Sequence, residues 1–290
     1  TDGKPVNLDL WTYEVINGNE IKLSRRISCD MVAGYDKNNI VNGQIIGKVP
    51  QYIKIDGNNE FYLVTDMYNT FGSCSSLTTA PEIPNSVTNM SWTFSNCSNL
   101  TAAPVIPNSV TNMSYTFYEC SNLTTAPEIP DSVTSMYNTF EDCSNLTTAP
   151  EIPNSVTDMT GTFKGCSRLT TAPEIPNSVT NMSITFEGCS SLTTAPEIPN
   201  SVTDMSSAFL DCSSLTTAPE IPNSVTNMSW TFCSCSKLEG TIVINANPTR
   251  YVDCFRNAAT QSSGLVVTGS SNKLDELIAT GDSNYIKKGK

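Results

Sequence analysis

Apolar residues recur along this chain with a fixed step of 23 residues, and the residues between them divide each unit into different kinds of backbone. In one unit Met90, Phe94 and Cys97 lie at i, i+4 and i+7, which is the spacing of one face of a short helix. The flanking stretches SVTNM and LTTA are short and rich in β-branched residues, which favours brief strands. The pattern therefore predicts an α+β unit with short strands and one short helix.

The same step links whole columns of apolar residues. The Phe column contains Phe71, Phe94, Phe117, Phe140, Phe163, Phe186, Phe209, Phe232 and Phe255. A unit of this size cannot bury its apolar side chains alone, so stacked units must share one continuous core. The sequence therefore predicts a repeat solenoid of about nine 23-residue rungs.

Most rungs carry a pair of prolines, such as Pro81 and Pro84 in the stretch APEIP. Two prolines this close together would remove hydrogen-bond donors from both sides of a strand. We therefore expect polyproline-like backbone that turns a corner here, and no long strand.

The repeat resembles a known family. The run F-x-x-C-x-x-L, followed by a short strand, I-P-x-S-V-T and the next helical turn, is similar to the leucine-rich repeat of BspA-like bacterial surface proteins. These are related to the mycoplasma-type lipoprotein repeats marked by V-T-x-M. The match covers Met67 to Leu238 in every unit. The resemblance implies a right-handed, leucine-rich-repeat-like stack at the cell surface or secreted, used for adhesion or binding rather than catalysis.

The two ends of the chain depart from the repeat, and we interpret them as caps. TYEVINGNEIKLSRRI resembles the β-hairpin that opens such domains, and GKVPQYIKIDGNNEFYLVTDMYNTF resembles a divergent first rung with an insertion. GLVVTGSSNKLDELIAT predicts a closing strand and helix. The expected organisation is an N-terminal cap over residues 1–66, the solenoid over 67–260 and a C-terminal cap over 261–290.

Charge and composition narrow the function. The formal net charge is −12, and residues 67–238 hold 14 acidic side chains against three basic ones. Such a surface repels nucleic acid and anionic lipid, so neither is an expected partner. No apolar run reaches the length of a membrane span, so we expect no membrane insertion by this segment. The chain has no His, and no nucleophile, base and orienting residue converge outside the repeated units, so we expect no enzyme, no cofactor and no metal site.

One Cys occurs at the same place in eight successive units. The column contains Cys74, Cys97, Cys120, Cys143, Cys166, Cys189, Cys212 and Cys235. Metal sites normally use pairs such as C-x-x-C, which the sequence lacks, and thiols stacked in register have poor geometry for a disulfide. Rather than metal ligation or disulfides, we therefore predict a file of buried, reduced core residues. Cys29, Cys233 and Cys254 lie outside the column, and the last two, on adjacent rungs near the C-terminal cap, are candidates for a disulfide.

The residues just after the constant part of each unit vary, and some of them are aromatic. If Met90 and its equivalents face inward, the positions equivalent to 92 and 95 face the opposite side of the predicted helix. Trp92, Tyr115 and Tyr118 would then form one aromatic patch, with Trp230 further along the same column. Drift of exposed positions is the alternative explanation, but Trp and Tyr are typical of binding hot spots.

A second candidate surface is a stripe of Glu, one per rung, that is interrupted at Val105. Its members are Glu82, Glu128, Glu151, Glu174, Glu197 and Glu220. Stacked like charges cost free energy even in water, so the stripe could serve a basic ligand or loosely held Ca²⁺. The alternative, which we favour, is recent copying of a soluble surface residue.

Two functions of different classes follow from these observations. The first is a cell-surface binding or adhesion module, which uses an extended solenoid surface to engage a host or neighbouring-cell protein or glycan. The second is a structural spacer or stalk, for example a phage tail component, that presents another domain. The Thr columns also raise ice binding, although the paired prolines interrupt the flat strand that ice binding requires.

Overall fold

The repeated sequence folds into one solenoid. The computed structural model describes residues 11–17, 20–25, 40–41, 44–45, 49, 52–54, 61–282 and 284–289. Equivalent residues of successive rungs lie side by side and form parallel bridges, and each ladder of bridges uses one residue of each rung. One such ladder runs from Asp66 through Asn89 to Arg250, and a second follows the column of Thr79. The brief strands predicted for SVTNM and LTTA are therefore reduced to isolated bridges.

The proline-rich corners form isolated bridges at most, as the paired prolines predict. Each corner ends in a turn, in which the Val87 N–H donates to Pro84 O at 3.1 Å in one rung. The Ser86 hydroxyl in that turn donates to Val64 O of the preceding rung at 2.6 Å, and the contact recurs along the stack. The constant Ser of each unit therefore ties two rungs together as well as suiting a turn.

The short helix predicted for Met90, Phe94 and Cys97 is wrong. These residues lie in successive turns, with φ of +61° at Trp92 and +60° at Asn96. Left-handed residues at every fourth position are incompatible with a right-handed helix. Side chains at i, i+4 and i+7 face the core in these turns as they would in a helix. The spacing therefore cannot distinguish a helix from the turns.

Hydrogen bonds in these turns alternate between one rung and the next. The Thr93 N–H donates back to Met90 O at 3.0 Å, whereas the Phe94 N–H donates to Thr116 O of the next rung at 2.9 Å. The same alternation is found in the equivalent turns along the solenoid. Each turn is thus hydrogen-bonded to the next rung through every second backbone N–H. These bonds pair backbone groups that would be paired within the element itself in a helix.

The core consists of apolar columns that run the length of the solenoid. From Phe71 to Phe255 the Phe rings form a single file, with centroids 5.4–5.7 Å apart and ring planes within 9° of parallel. The Val, Met, Cys and Leu columns around this file are also buried. The shared core predicted from the repeat period is therefore present, and burial of these columns is what holds successive rungs together.

Pattern analysis misses a column of buried Thr beside the Phe file. Its fully buried members are Thr70, Thr93, Thr116, Thr139, Thr162, Thr185 and Thr231. From Thr93 onward, each hydroxyl donates to the carbonyl of a Met on the preceding rung at 2.8–2.9 Å. A hydroxyl can be buried here because the neighbouring backbone supplies its acceptor.

Replacing Thr139 by Val is expected to lower the free energy of unfolding by about 1 kcal/mol, because the shape is kept and the hydrogen bond to Met113 O is lost. Urea denaturation followed by circular dichroism measures the change. Thr148→Val on the same rung is the control, since Thr148 is exposed. Equal stability of the Thr139 variant and the wild type would show that the buried hydroxyl contributes nothing.

The N-terminal region begins with the predicted hairpin. Its strands are β1 (Trp11–Asn17), β2 (Glu20–Arg25), β3 (Ile40–Val41), β4 (Gln44–Ile45), β5 (Tyr52–Lys54) and β6 (Phe61–Asp66). Strands β1 and β2 pair antiparallel, and the larger sheet has the order β1-β2-β6-β5, while β3 and β4 pair separately. Ile21 and Leu23 of β2 belong to the same core cluster as Phe71, so this sheet covers the first rung.

The C-terminal region contains the predicted closing strand and helix. Its elements are β7 (Gly240–Val243), β8 (Leu265–Thr268), α1 (Leu274–Ile278) and β9 (Ile286–Lys288). The three strands form a parallel sheet in the order β7-β8-β9. Leu274 and Leu277 of α1 are buried in the solenoid core, so the helix covers its last rung.

Candidate ligand-binding surface

Four aromatic rings from three successive rungs meet on the turns. Trp92 and Tyr115 stack with centroids 4.0 Å apart and planes 15° apart. Tyr118 lies 5.7 Å from Trp92, and Tyr137 lies edge-on to Tyr115 at 5.3 Å. We call these four residues the aromatic cluster. The patch predicted from the sequence is thus assembled, and Tyr137, which is Ser or Thr in most other rungs, extends it.

Two hydroxyl groups of this cluster, those of Tyr115 and Tyr118, are held in their neutral form. Burial and a hydrogen bond with Tyr137 raise the pKa of Tyr115 to about 12. A hydrogen bond with Glu119 and burial raise the pKa of Tyr118 to about 12. At neutral pH the hydroxyl groups of Tyr115 and Tyr118 are therefore uncharged.

A group of charged side chains adjoins the aromatic cluster. We call it the acidic cluster; its carboxylates are Glu119, Glu141, Asp142, Glu187 and Asp211, and Lys164 lies among them. Lys164 Nζ lies 3.0 Å from Glu141 Oε1, and the Glu141 side chain is buried. The hydrogen bond to Glu141 raises the pKa of Lys164, and burial raises the pKa of Asp142.

Glycines lie beside the acidic cluster and leave space for its side chains. Gly161 has φ +62°, and a Cβ there would come within 2.2 Å of Asn138 Oδ1. Gly165 has φ +71°, and a Cβ there would come within 2.0 Å of Asp142 Oδ1. Asn138 also donates a hydrogen bond to Glu141. The absence of side chains at the two glycines therefore leaves room for the side chains of Asn138 and Asp142.

Trp230 does not join the aromatic cluster. It lies six rungs from Trp92 in the same column, and the guanidinium of Arg256 sits over its ring at 5.8 Å. This Trp is therefore a separate surface feature with a cation of its own.

The Glu stripe lies in the proline-rich corners, and all six of its carboxylate side chains belong to exposed residues. Val105, which interrupts it, is 86% exposed. Glu220 accepts a hydrogen bond from Asn245 at 2.6 Å. Within the described residues, no three His, Cys, Asp or Glu residues are grouped as metal ligands. A role of this stripe in binding a basic ligand stays a prediction.

The Cys column is buried, and its thiols bond to backbone. From Cys97 to Cys235 each Sγ donates to the carbonyl of a Phe on the preceding rung at 3.0–3.1 Å. Burial raises the pKa of these thiols from Cys120 onward. Cys74, at the start of the column, is instead disulfide-bonded, which differs from the predicted uniform file of thiols.

The disulfide considered for Cys233 and Cys254 is not formed, because both are free thiols. Cys254 occupies the buried column of Thr231, whereas Cys233 occupies the variable column that continues to Arg256. The two therefore belong to columns with different environments, although their rungs are adjacent. Cys29 lies outside the described residues.

The stacked rungs and the side chains on their turns define a leucine-rich repeat solenoid. The family model of the BspA type leucine rich repeat region matches in six copies, over residues 67–184 and 160–276. These matches cover most of the chain, so the chain belongs to the BspA-type leucine-rich repeat family. The resemblance noted in the repeat is confirmed.

Two solved structures of bacterial leucine-rich repeat proteins have a similar fold. One, from Bacteroides ovatus, is 21% identical with a TM-score of 0.57, over 90% of this chain and 70% of that protein. The other, a leucine rich cell surface protein from Faecalibacterium prausnitzii, is 21% identical with a TM-score of 0.58, over 93% of this chain and 72% of that protein. At this identity the likeness shows the fold alone. The chain has no significant match among curated proteins.

The helical content gives no sign of a membrane span. Over the ranges that the structure describes, no helix has the length and apolar character needed to cross a bilayer.

Proposed function

We propose that this chain is a non-catalytic binding module, displayed at the bacterial cell surface or secreted, that engages a host or neighbouring-cell protein or glycan through the aromatic cluster. Membership of the BspA-type family supports the surface location. The similar fold of a Faecalibacterium prausnitzii cell surface protein is consistent with it.

The observation that carries this proposal is the gathering of four aromatic rings on three adjacent rungs. Trp92 and Tyr115 stack with centroids 4.0 Å apart, and the other two rings of the aromatic cluster pack against them. Positive φ is common to the whole column, with +51° at Ile184 and +62° at Trp230, so the backbone conformation does not set the cluster apart. Trp and Tyr are typical of binding hot spots. The four rings together therefore support a role in binding.

Replacing both Trp92 and Tyr115 by Asn is expected to weaken binding by about a thousandfold, because aromatic hot spots contribute about 2 kcal/mol or more each. Asn fits the backbone, since Asn69 and Asn138 occupy the same column with φ +55° and +51°. Arrays of host-matrix proteins and glycans would identify a partner with the wild-type protein, and biolayer interferometry would compare affinities.

The matched control is Trp230→Asn, which removes the same ring type from the same column six rungs away. We expect its affinity to stay within about threefold of wild type, since contacts outside a hot spot are nearly neutral. Unchanged binding by the Trp92 and Tyr115 double variant would exclude the aromatic cluster as the binding surface.

A structural spacer is the second candidate, and the unbroken file of Phe rings supports it. Rings within 9° of parallel from Phe71 to Phe255 indicate a regular stack over the whole solenoid. A spacer needs this regularity but has no use for an aromatic cluster that reaches the surface. Absence of any array partner for the wild-type protein would favour the spacer.

A further inference from the structure

We propose that the partner is a protein that presents a Lys or Arg side chain to the junction between the aromatic cluster and the acidic cluster. This inference rests on the proposed binding function and names the chemistry of the partner. The junction places aromatic rings beside carboxylates, because Tyr118 is hydrogen-bonded with Glu119, and Glu141 accepts a hydrogen bond from Asn138, which follows Tyr137 in the chain. That combination stabilises an ammonium or guanidinium group.

The chain itself places a cation over the equivalent ring near its C-terminal end. Arg256 lies over Trp230 and follows it by 26 residues, the same offset that separates Tyr118 from Trp92. The turn geometry therefore brings the side chain at this offset against the Trp ring. Near Trp92 that place is taken by Tyr118, which adds a second aromatic ring instead of a cation.

The chain also places a cation over a ring at the N-terminal end of the solenoid, where Lys22 Nζ lies 4.7 Å from the ring centroid of Tyr68. By contrast, among the described residues no Lys or Arg lies over the rings of the aromatic cluster. Among the described residues, the aromatic cluster is therefore a group of partly exposed rings without a cation from this chain, which leaves that place to a partner.

The charge of the acidic cluster favours the same occupant. Five carboxylates surround the single ammonium of Lys164, so the group has a net negative charge after Lys164 has paired with Glu141. Burial is the largest cause that raises the pKa of Asp142 and of Glu187; neighbouring carboxylates also raise both values, and Lys164 lowers both. An added cation would relieve this repulsion, whereas an anionic partner would increase it.

Asn138 supplies an independent indication. The residue is 7% exposed, and its Oδ1 atom accepts no hydrogen bond from the described residues. Oδ1 occupies the space left by Gly161, and Asn138 lies on the rung between those of Tyr115 and Lys164. A buried acceptor without a donor is costly, and ammonium and guanidinium groups are donors only. The orphan acceptor therefore matches a cationic partner in chemistry.

An oligo-arginine peptide is the probe, titrated by calorimetry against two variants with the same change in charge. Glu119→Asn with Asp142→Asn alters the junction, and Asn fits because Asn96 and Asn257 occupy the same column. Glu174→Gln with Glu197→Gln removes two charges from the Glu stripe. We expect about tenfold weaker binding for the first pair and less than about twofold for the second. Equal losses, or no loss in either pair, would overturn the proposal.

The partner identified on arrays separates this inference from the proposed function. One outcome is that binding is lost with the Trp92 and Tyr115 replacements but is unchanged by Glu119→Asn with Asp142→Asn. If binding is also unchanged at about 1 M salt, where charges are screened beyond about 3 Å, the partner presents a neutral protein surface or a glycan. The binding function would then stand and the cationic partner would be excluded. Binding lost with both sets of replacements supports both.

Discussion

Raising the pH from about 9 to about 10 is expected to lower the free energy of unfolding by about 7 kcal/mol, from the Cys residues alone. Burial raises the pKa of seven thiols: Cys120, Cys143, Cys166, Cys189, Cys212, Cys235 and Cys254. In the unfolded chain these thiols ionise with an ordinary pKa of about 8.5, while in the folded protein they stay protonated.

The sign follows from proton binding. Above the unfolded pKa the folded state holds more protons, so the stabilisation is complete below about pH 8 and is lost as the pH rises towards the higher folded pKa. Each thiol contributes about 1 kcal/mol to the loss over that interval. Urea denaturation midpoints measured at successive pH values would show the effect.

A variant with fewer buried thiols isolates this contribution from other groups that titrate in the same range. Cys166→Ala with Cys212→Ala should reduce the loss between about pH 9 and 10 by about 2 kcal/mol, whatever its stability at neutral pH. An identical pH dependence in the variant and the wild type would contradict the assignment of the effect to the Cys column.

Replacing Phe140 by Ala is expected to lower the free energy of unfolding by about 3–5 kcal/mol, as in other buried Phe sites. Phe140 is fully buried and stacks on Phe117 and Phe163, at 5.6 and 5.7 Å. The backbone is tied to both neighbouring rungs, so it cannot collapse into the cavity. Urea denaturation measures the loss, with hydrogen exchange to show whether the rungs on either side open together.

Tyr137→Ala is the matched control, since it removes an aromatic ring from the same rung at a site that is 36% exposed. Its expected cost is below about 1 kcal/mol, mainly the lost edge-on contact with Tyr115. Similar costs for the two variants would mean that the Phe file does not carry the stability of the stack.

The sequence predicts the solenoid and its core because the period is strict. Apolar side chains at a fixed step can be buried only by stacking, and Phe140 and Cys143 lie where this reasoning places them. The helix prediction is wrong for a physical reason. The side chains of Met90, Phe94 and Cys97 face the core both in a helix and in the observed turns. The signal that could have corrected this prediction is the column of Trp92, which includes Asn69, Asn138 and Gly161, because Asn and Gly tolerate positive φ.

Part of the candidate surface could be foreseen and part could not. Trp92, Tyr115 and Tyr118 follow from column neighbours, since residues one repeat apart must lie on adjacent rungs. The acidic cluster around Lys164 depends on the particular charged residues that two variable columns carry on successive rungs, and no repeated pattern marks them in the sequence. Asn138 looks like an ordinary polar residue in the sequence, and only its surroundings show that it is buried with an orphan acceptor.

The central claim is that the aromatic cluster is where the partner binds. Hydrogen–deuterium exchange of the wild-type protein, with and without a saturating amount of the partner captured on arrays, tests it most directly. The account predicts slower exchange in peptides that cover residues 91–119 and 137–142, with no change over 229–256. Protection confined to the rungs around Trp230, or to the corners of the Glu stripe, would contradict it.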